Sequence, residues 1–264
     1  MHDRDPTRTL DGAAWANSAR AVAEVSDVVV TCLPSPAALE AVLDDVLPAL
    51  RGTWIDTSTT GRDNLLRLAQ RADAAGVATL EAPVTGGVHK AASGEITVIV
   101  GGDDAVFAKH RELLGALGNP VFHVGPLGSA SVLKVITNML AFVHLVAAGD
   151  ALMLAKRAGL DLAQAFEVIR ASSGNSFVHE TESPVILDGS YDIGFTIDLA
   201  LKDLGFAREL GDDVGVALEL AALVERLFER ARDRYGGDAW SPTVVKLLED
   251  DLRTELRAPG FSER

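Results

Sequence analysis

GPLGSASVLKVITN, residues 125–138, is where this sequence changes character. Gly125-Pro126 interrupts the chain and Gly128 closes the interruption. From Ser129 to about Ala158 there is then no proline and a single glycine, Gly149. About 30 residues can run there as one helix, roughly 45 Å long at about 1.5 Å per residue. Before the break, strand and helix patterns alternate. Val28-Val29-Val30-Thr31-Cys32-Leu33 is a largely β-branched run that suits a strand buried on both faces. Pro34 ends it, and Pro36 opens a helical pattern from Ala37 to Leu50. Thr53 to Asp56 reads as the next strand, followed by the turn Thr57–Thr60. Asn64 to Ala75 is amphipathic, with Leu65, Leu68, Ala69 and Ala72 on one stripe and Gly76 where a C-cap would stand. Val77–Glu81 and Ile96–Val100 read as strands, Asp103-Asp104 lead a helix through Leu117, and Val121–Val124 is a last short strand. This alternation predicts a largely parallel α/β sheet. After residue 128 only helical patterns recur, at Leu162–Ser172, Leu199–Leu210, Ala217–Tyr235 and Ser241–Glu255. The expected architecture is therefore an α/β domain over residues 1–127 and an all-α domain over 128–264, joined through the long helix.

Composition narrows the function classes. The chain has 264 residues, 48% hydrophobic and 23% charged, and its formal net charge is −14. So acidic a chain repels phosphate backbones, which argues against a nucleic-acid partner. A small anionic substrate would need local cations working against that field. The single cysteine, Cys32, excludes an intrachain disulfide framework and a Cys-rich metal site, and its place in a strand pattern reads as a small core residue. The six histidines have no paired spacing, so no metal site is expected. Residues 1–10 hold no apolar run of the signal-peptide kind. The apolar stretch Val135–Gly149 has 15 residues, short of the roughly 20 a membrane span needs. The reading is a soluble, cytoplasmic chain with no membrane partner.

Four segments can carry chemistry. EAPVTGGV, residues 81–88, leaves a strand through two consecutive glycines; backbone N–H groups there can hold a carboxylate or phosphate, although a plain turn needs the same residues. Lys134 lies among apolar neighbours early in the long helix, with Asn138 one turn on. A desolvated lysine exchanges a proton nearer neutrality, and the simpler alternative is a snorkelling lysine. Lys202-Asp203 offers a second cation or, more simply, an internal ion pair. Asp56-Thr57-Ser58-Thr59-Thr60 can present hydroxyls to a ligand or merely form a turn.

Taken in order, VVVTCLP (28–34), IDTST (55–59), EAPVTGGV (81–88), GEITVIVGG (94–102), GPLGSASVLKVITN (125–138) and KDL (202–204) resemble the β-hydroxyacid dehydrogenases, the group of 3-hydroxyisobutyrate dehydrogenase, tartronate semialdehyde reductase and their relative 6-phosphogluconate dehydrogenase. The resemblance covers nearly all of residues 12–250. It implies hydride transfer between NAD or NADP and a small 3-hydroxy carboxylic acid or its semialdehyde. By that likeness Lys134 is the catalytic lysine that exchanges the hydroxyl proton. Thr85, Gly86 and Gly87 hold the substrate carboxylate, and Asn138 orients the substrate. Leu33, Pro34, Thr59 and Lys202 meet the cofactor, and the helical half builds a homodimer. Thr85 stands where the family usually has Ser, and Thr137 where it has the first of two asparagines. Retention of Lys134 argues against the imine-reducing relatives.

One departure is large. The family opens with a strand and a G-x-G-x-x-G turn, and these 264 residues contain no G-x-G. Residues 11–34 already match the segment leading into the fourth strand, so the resemblance implies an incomplete, N-terminally truncated Rossmann-type domain. Three readings of such a chain stand side by side. It is a fragment or late-start product of an ordinary dehydrogenase, a non-catalytic ligand-binding or regulatory dimer that keeps the substrate pocket without binding cofactor, or a degenerate product without function.

Overall fold

The computed structural model describes residues 1–8 and 10–261, and the chain divides into two compact units at residues 134/135. In the first unit, after the short α1 (Ala19–Glu24), β1 (Val28–Thr31), β2 (Thr53–Asp56) and β3 (Ala78–Glu81) run parallel, with Thr31, Asp56 and Glu81 in register at their carboxyl ends. β5 (Thr97–Gly102) is antiparallel to β3, β4 (Val84–Thr85) is antiparallel to β5, and β6 (Val121–His123) runs parallel to β5. The sheet is thus parallel on one side and mixed on the other.

β2 is buried at all four positions because both faces are covered. Trp54 packs with Leu39 and Leu43 of α2 (Pro36–Val46) and Leu65 and Leu68 of α3 (Arg62–Ala74). Ile55 packs on the other side with Leu80, Val98, Val100 and Leu114 of α5 (Asp104–Leu117). Ser35 and Asp103 cap α2 and α5 through side-chain oxygens, each cap contributing about 1 kcal/mol.

Several sequence expectations are corrected. β1 is not buried on both faces: Val29 and Thr31 are buried, but Val30 is 41% exposed, and no strand flanks the outer edge of β1 among the described residues. Cys32 lies past the end of β1 and is exposed rather than core. α2 stops at Val46, short of Leu50: Leu47 is still helical in conformation and donates to Leu43 O, but Pro48 has no N–H to continue the ladder. β4, two residues long, and the short α4 (Gly87–Ser93) give no periodic signal and were not expected.

The second unit is helical. α6 (Ser129–Arg157) runs 29 residues through the division between the units. By length and composition it is apolar enough to cross a bilayer, which the 15-residue count had excluded. Its Phe142, Leu145, Leu152 and Met153 enter the core of the second unit with Phe166, Ile197 and Phe228. Gly149 admits a close crossing: a Cβ there would lie 2.6 Å from a Val245 methyl. α7 (Leu162–Arg170), α9 (Ile197–Val214) and α10 (Glu219–Tyr235) match the periodic segments. α8 (Phe177–Asp188) was not expected, since it carries Pro184 in its interior and its apolar residues go round the helix instead of forming one stripe. Over Ser241–Glu255 the expected helix is a 3₁₀ turn (Ser241–Val245) followed by α11 (Lys246–Leu252), which Arg253 ends at φ 50°.

Candidate active site

Ligands of open α/β sheets gather beyond the carboxyl ends of the strands, and in the first unit the ends of β1 and β2 are tied together by one side-chain hydrogen-bond network. Asp56 is 1% exposed and its Oδ1 accepts from Thr31 Oγ1 (2.8 Å), Ser58 N (3.2 Å) and Ser58 Oγ (2.6 Å). Trp54 Nε1 donates to Thr31 Oγ1 at 2.9 Å, and the Leu33 N–H donates to Ser58 Oγ at 2.9 Å. The backbone that carries Leu33 and Pro34 is therefore held through Ser58 by a buried carboxyl. Burial pushes that carboxyl up to about 6, against the hydrogen bonds from Ser58 and Thr31 and with help from the like charge of Glu81. Thr59 is half-buried in the same turn, but the hydroxyl that reaches Leu33 is Ser58.

The Thr85–Gly87 turn follows. Thr85 pairs with Thr97 across β4 and β5. Gly86 has φ 131° and Gly87 φ 84°, conformations that a side chain rarely adopts, and α4 begins there without a side-chain cap. A Cβ on Gly86 would also approach Lys90 Cδ to 3.0 Å. The turn thus opens a short helix with N–H groups that no side chain caps.

Lys134 is 7% exposed on α6. Its helix is anchored at the first turn by Glu81, whose two oxygens accept from the backbone of Ala130 and Ser131 at 2.9 Å each. In the helical unit, Asn138 Nδ2 donates to Asp203 Oδ2 at 2.6 Å, and Lys202 Nζ lies 2.9 Å from Asp203 Oδ1. Asp203 is 1% exposed, and Lys202 also sits over the Phe206 ring at 5.2 Å. Asn138 and Lys202, which are 64 positions apart, are thus brought to one carboxylate, and the simpler reading of Lys202-Asp203 as an ion pair is part of the arrangement. Sequence reasoning missed Asp56, Glu81 and Asp203 as anchors. The available signal was an acidic residue ending each of two adjacent strands and another beside Lys202.

A dinucleotide fits one part of this arrangement. The buried Thr60 hydroxyl, in the turn at the carboxyl end of β2, has no hydrogen-bond partner among the described residues. Thr59 stands next to it, and the Leu33 N–H bond to Ser58 ties the Leu33-Pro34 backbone to the same turn, so the unpartnered Thr60 hydroxyl is the group there suited to a polar part of a nucleotide. The residues that would seat a pyrophosphate on a G-x-G-x-x-G turn do not occur in the sequence.

Comparison with known proteins agrees in both units. Residues 3–125 match the NAD binding domain of 6-phosphogluconate dehydrogenase, and residues 128–248 match the NAD-binding model of NADP-dependent 3-hydroxyisobutyrate dehydrogenase. The chain is 33% identical to a 2-(hydroxymethyl)glutarate dehydrogenase of Eubacterium barkeri over 90% of its length and 81% of the relative's. It is 34% identical to a 3-hydroxyisobutyrate dehydrogenase of Pseudomonas aeruginosa, over 82% of this chain and 77% of that one. Among solved structures it superposes with a TM-score of 0.80 on the 3-hydroxyisobutyrate dehydrogenase of Mycobacterium tuberculosis with L-serine, at 28% identity over 90% of this chain and 84% of the other. With its mixed α/β sheet, its long helix and its helical second unit, the chain belongs to the β-hydroxyacid dehydrogenases, NAD(P)-dependent oxidoreductases of hydroxy acids.

Proposed function

We propose that this chain oxidises a small 3-hydroxy carboxylic acid, or reduces the matching semialdehyde, with Lys134 as the catalytic acid–base. The observation that carries the proposal is a buried lysine one helical turn before Asn138, on the helix that opens the second family match. NAD or NADP, when bound, takes the hydride from the hydroxyl-bearing carbon and returns it in the reverse direction. Lys134 Nζ receives the hydroxyl proton in oxidation and gives it back in reduction. The Thr85 hydroxyl and the N–H groups of Gly86 and Gly87 bind the substrate carboxylate, and the Asn138 amide orients the substrate. Leu33, Pro34, Thr59 and Lys202 contact the cofactor. Residues 1–127 act as the dinucleotide-binding part, and residues 128–264 as the substrate and dimerisation part. A homodimer is supported by exposed Ile136 and Leu140, four apart on α6. The chain works in the cytoplasm.

The test is a fluorescence titration of the 264-residue chain with NADH and NADPH, then turnover on 3-hydroxyisobutyrate, L-serine and 2-(hydroxymethyl)glutarate. Lys134→Ala is expected to lower turnover by about 10²–10⁴-fold, the range of a lost general acid–base, with cofactor affinity within about threefold. Undiminished turnover in Lys134→Ala would refute the assignment. A second reading rests on the missing G-x-G: a folded chain that binds neither nucleotide up to millimolar concentration acts as a ligand-binding module without redox activity.

A further inference from the structure

Glu81 ends β3 in register with Asp56 and opposite Gly101 of β5, and it is 1% exposed. Its side chain reaches the start of α6. Oε1 accepts from Ala130 N at 2.9 Å, and Oε2 accepts from Ser131 N at 2.9 Å and from the Ser131 hydroxyl. An ordinary N-cap comes from the residue just before the helix; here the cap comes from 49 and 50 positions away. The path across the sheet exists because residue 101 has no side chain: a Cβ on Gly101 would collide with Glu81 Oε1.

We infer that Glu81 is a positioning residue for the reaction proposed above, fixing the first turn of α6, and with it Lys134, against the strand that leads into the Thr85–Gly87 turn. Lys134 stands three residues after Ser131 and four after Ala130, so it shares a helix face with both. Side chains on a helix lean toward its N-terminus, so the stem of Lys134 leans back over the turn that Glu81 grips. From the other side, Glu81 is four residues before Thr85, whose strand is fixed by the pairs Val84↔Val98 and Thr85↔Thr97. One buried carboxylate therefore sets the spacing between the turn proposed to hold the substrate and the helix proposed to carry the base. A negative group at a helix N-terminus also complements the helix dipole. The inference rests on the catalytic role of Lys134, so its test must separate the two.

The experiment compares Glu81→Gln, Gly101→Ala, Ser131→Ala and Lys134→Ala with the parent chain. Read across pH 6–10 are kcat, the KM values for the hydroxy acid and for the cofactor, and the rate at which an amine-acylating reagent labels Lys134, by mass spectrometry. Glu81→Gln puts an amide N–H₂ where donors converge, and Gly101→Ala displaces the carboxylate without altering it. Both are expected to lower kcat at least tenfold, to leave cofactor KM within threefold, and to displace the labelling-rate profile along the pH axis in the same direction. A purely structural role would lower stability while leaving the profile of the folded fraction in place. If Glu81→Gln and Gly101→Ala do not fold, Ser131→Ala decides, with a displaced profile and about a threefold loss expected. Unchanged kcat and labelling in the folded variants, with Lys134→Ala inactive, would overturn the role of Glu81 and leave that of Lys134. Full turnover in Lys134→Ala would instead remove the reading on which the inference rests. In a chain without measurable turnover, the labelling profile alone decides.

Discussion

Asp56→Asn tests whether the buried strand-end network carries a titrating proton. Asp56 is buried and is pushed from 3.8 up to about 6, with burial as the largest cause. The unfolded carboxyl keeps its ordinary value. A raised pKa means that the folded state holds the proton more tightly, so the stabilisation is fully present below about pH 4 and is lost as pH rises through about 6. A shift of about two units at about 1.36 kcal/mol per unit corresponds to roughly 3 kcal/mol between those limits. Asparagine does not titrate, and its Oδ1 can still accept from Thr31 and Ser58. The unfolding free energy of Asp56→Asn relative to the parent should therefore rise by about 2.5 kcal/mol from pH 4 to pH 7, somewhat less than the full amount because the unfolded carboxyl is already partly ionised at pH 4. Other groups titrate in both chains and cancel in the difference. Urea denaturation followed by circular dichroism at pH 4, 5, 6 and 7 measures it. Ser58→Ala sharpens the test, because the Ser58 hydrogen bonds lower this pKa; without the hydroxyl, the inflection should move to higher pH. Parallel curves for parent and Asp56→Asn across the range would refute the reasoning.

Three further outcomes are expected. Asp203→Ala removes the acceptor of the Asn138 amide and the ion-pair partner of Lys202; it should cost roughly 3 kcal/mol of stability by thermal melting and raise KM for the hydroxy acid about tenfold, and unchanged values in both would deny Asp203 its anchoring role. Gly149→Ala gains about 1 kcal/mol in helix propensity but puts a methyl against Val245, at an overpacking cost of about 1–3 kcal/mol. The urea midpoint should fall, and Val245→Ala should restore it. Glu182 lies in α8 with Oε2 buried and unpartnered among the described residues, and burial pushes its carboxyl up to about 8. Stability should fall in the parent as pH rises through 8, whereas Glu182→Gln should be the more stable chain at pH 9, by at most about 5 kcal/mol, and no different near pH 4.

The sequence made the alternation of strands and helices legible where apolar periodicity was strong. β2, α3, α5 and α6 are found within two residues of the expected bounds. It failed where local pattern and tertiary environment part. The β-branched run at Val28–Leu33 signals a strand but cannot report whether a second layer covers it, and Val30 is exposed. α8 carries a proline and no single apolar stripe, so its helicity depends on packing that periodicity does not encode. At the candidate site, the lysines and the glycine turn stood out because a charged residue among apolar neighbours on a helix, and paired glycines after a strand, are unusual patterns in the sequence. Their anchors did not, because the bonds run from Leu33 to Ser58, from Ala130 to Glu81 and from Asn138 to Asp203. Separations of 25 to 65 residues leave no trace in local spacing.

These three bonds share one physical arrangement, which bears on how an acidic chain can hold an anionic substrate. Asp56, Glu81 and Asp203 are each about 1% exposed, and each has at least one oxygen accepting from donors inside the protein. A buried carboxylate satisfied in this way orders the groups that donate to it, and its charge is offset locally instead of projecting to the surface. Asp203 offsets Lys202 and orders Asn138; Glu81 offsets the positive end of α6; Asp56 orders the backbone at Leu33. The net charge of −14 is then carried mainly by solvated side chains, where salt screens it within about 8 Å at physiological ionic strength. In the reaction proposed above, anion recognition falls to short-range donors such as the N–H groups of Gly86 and Gly87, whose strength depends on orientation more than on the global field. Positions that fix orientation should therefore be less tolerant of substitution than the surface charges that set the pI, even though the latter dominate the composition.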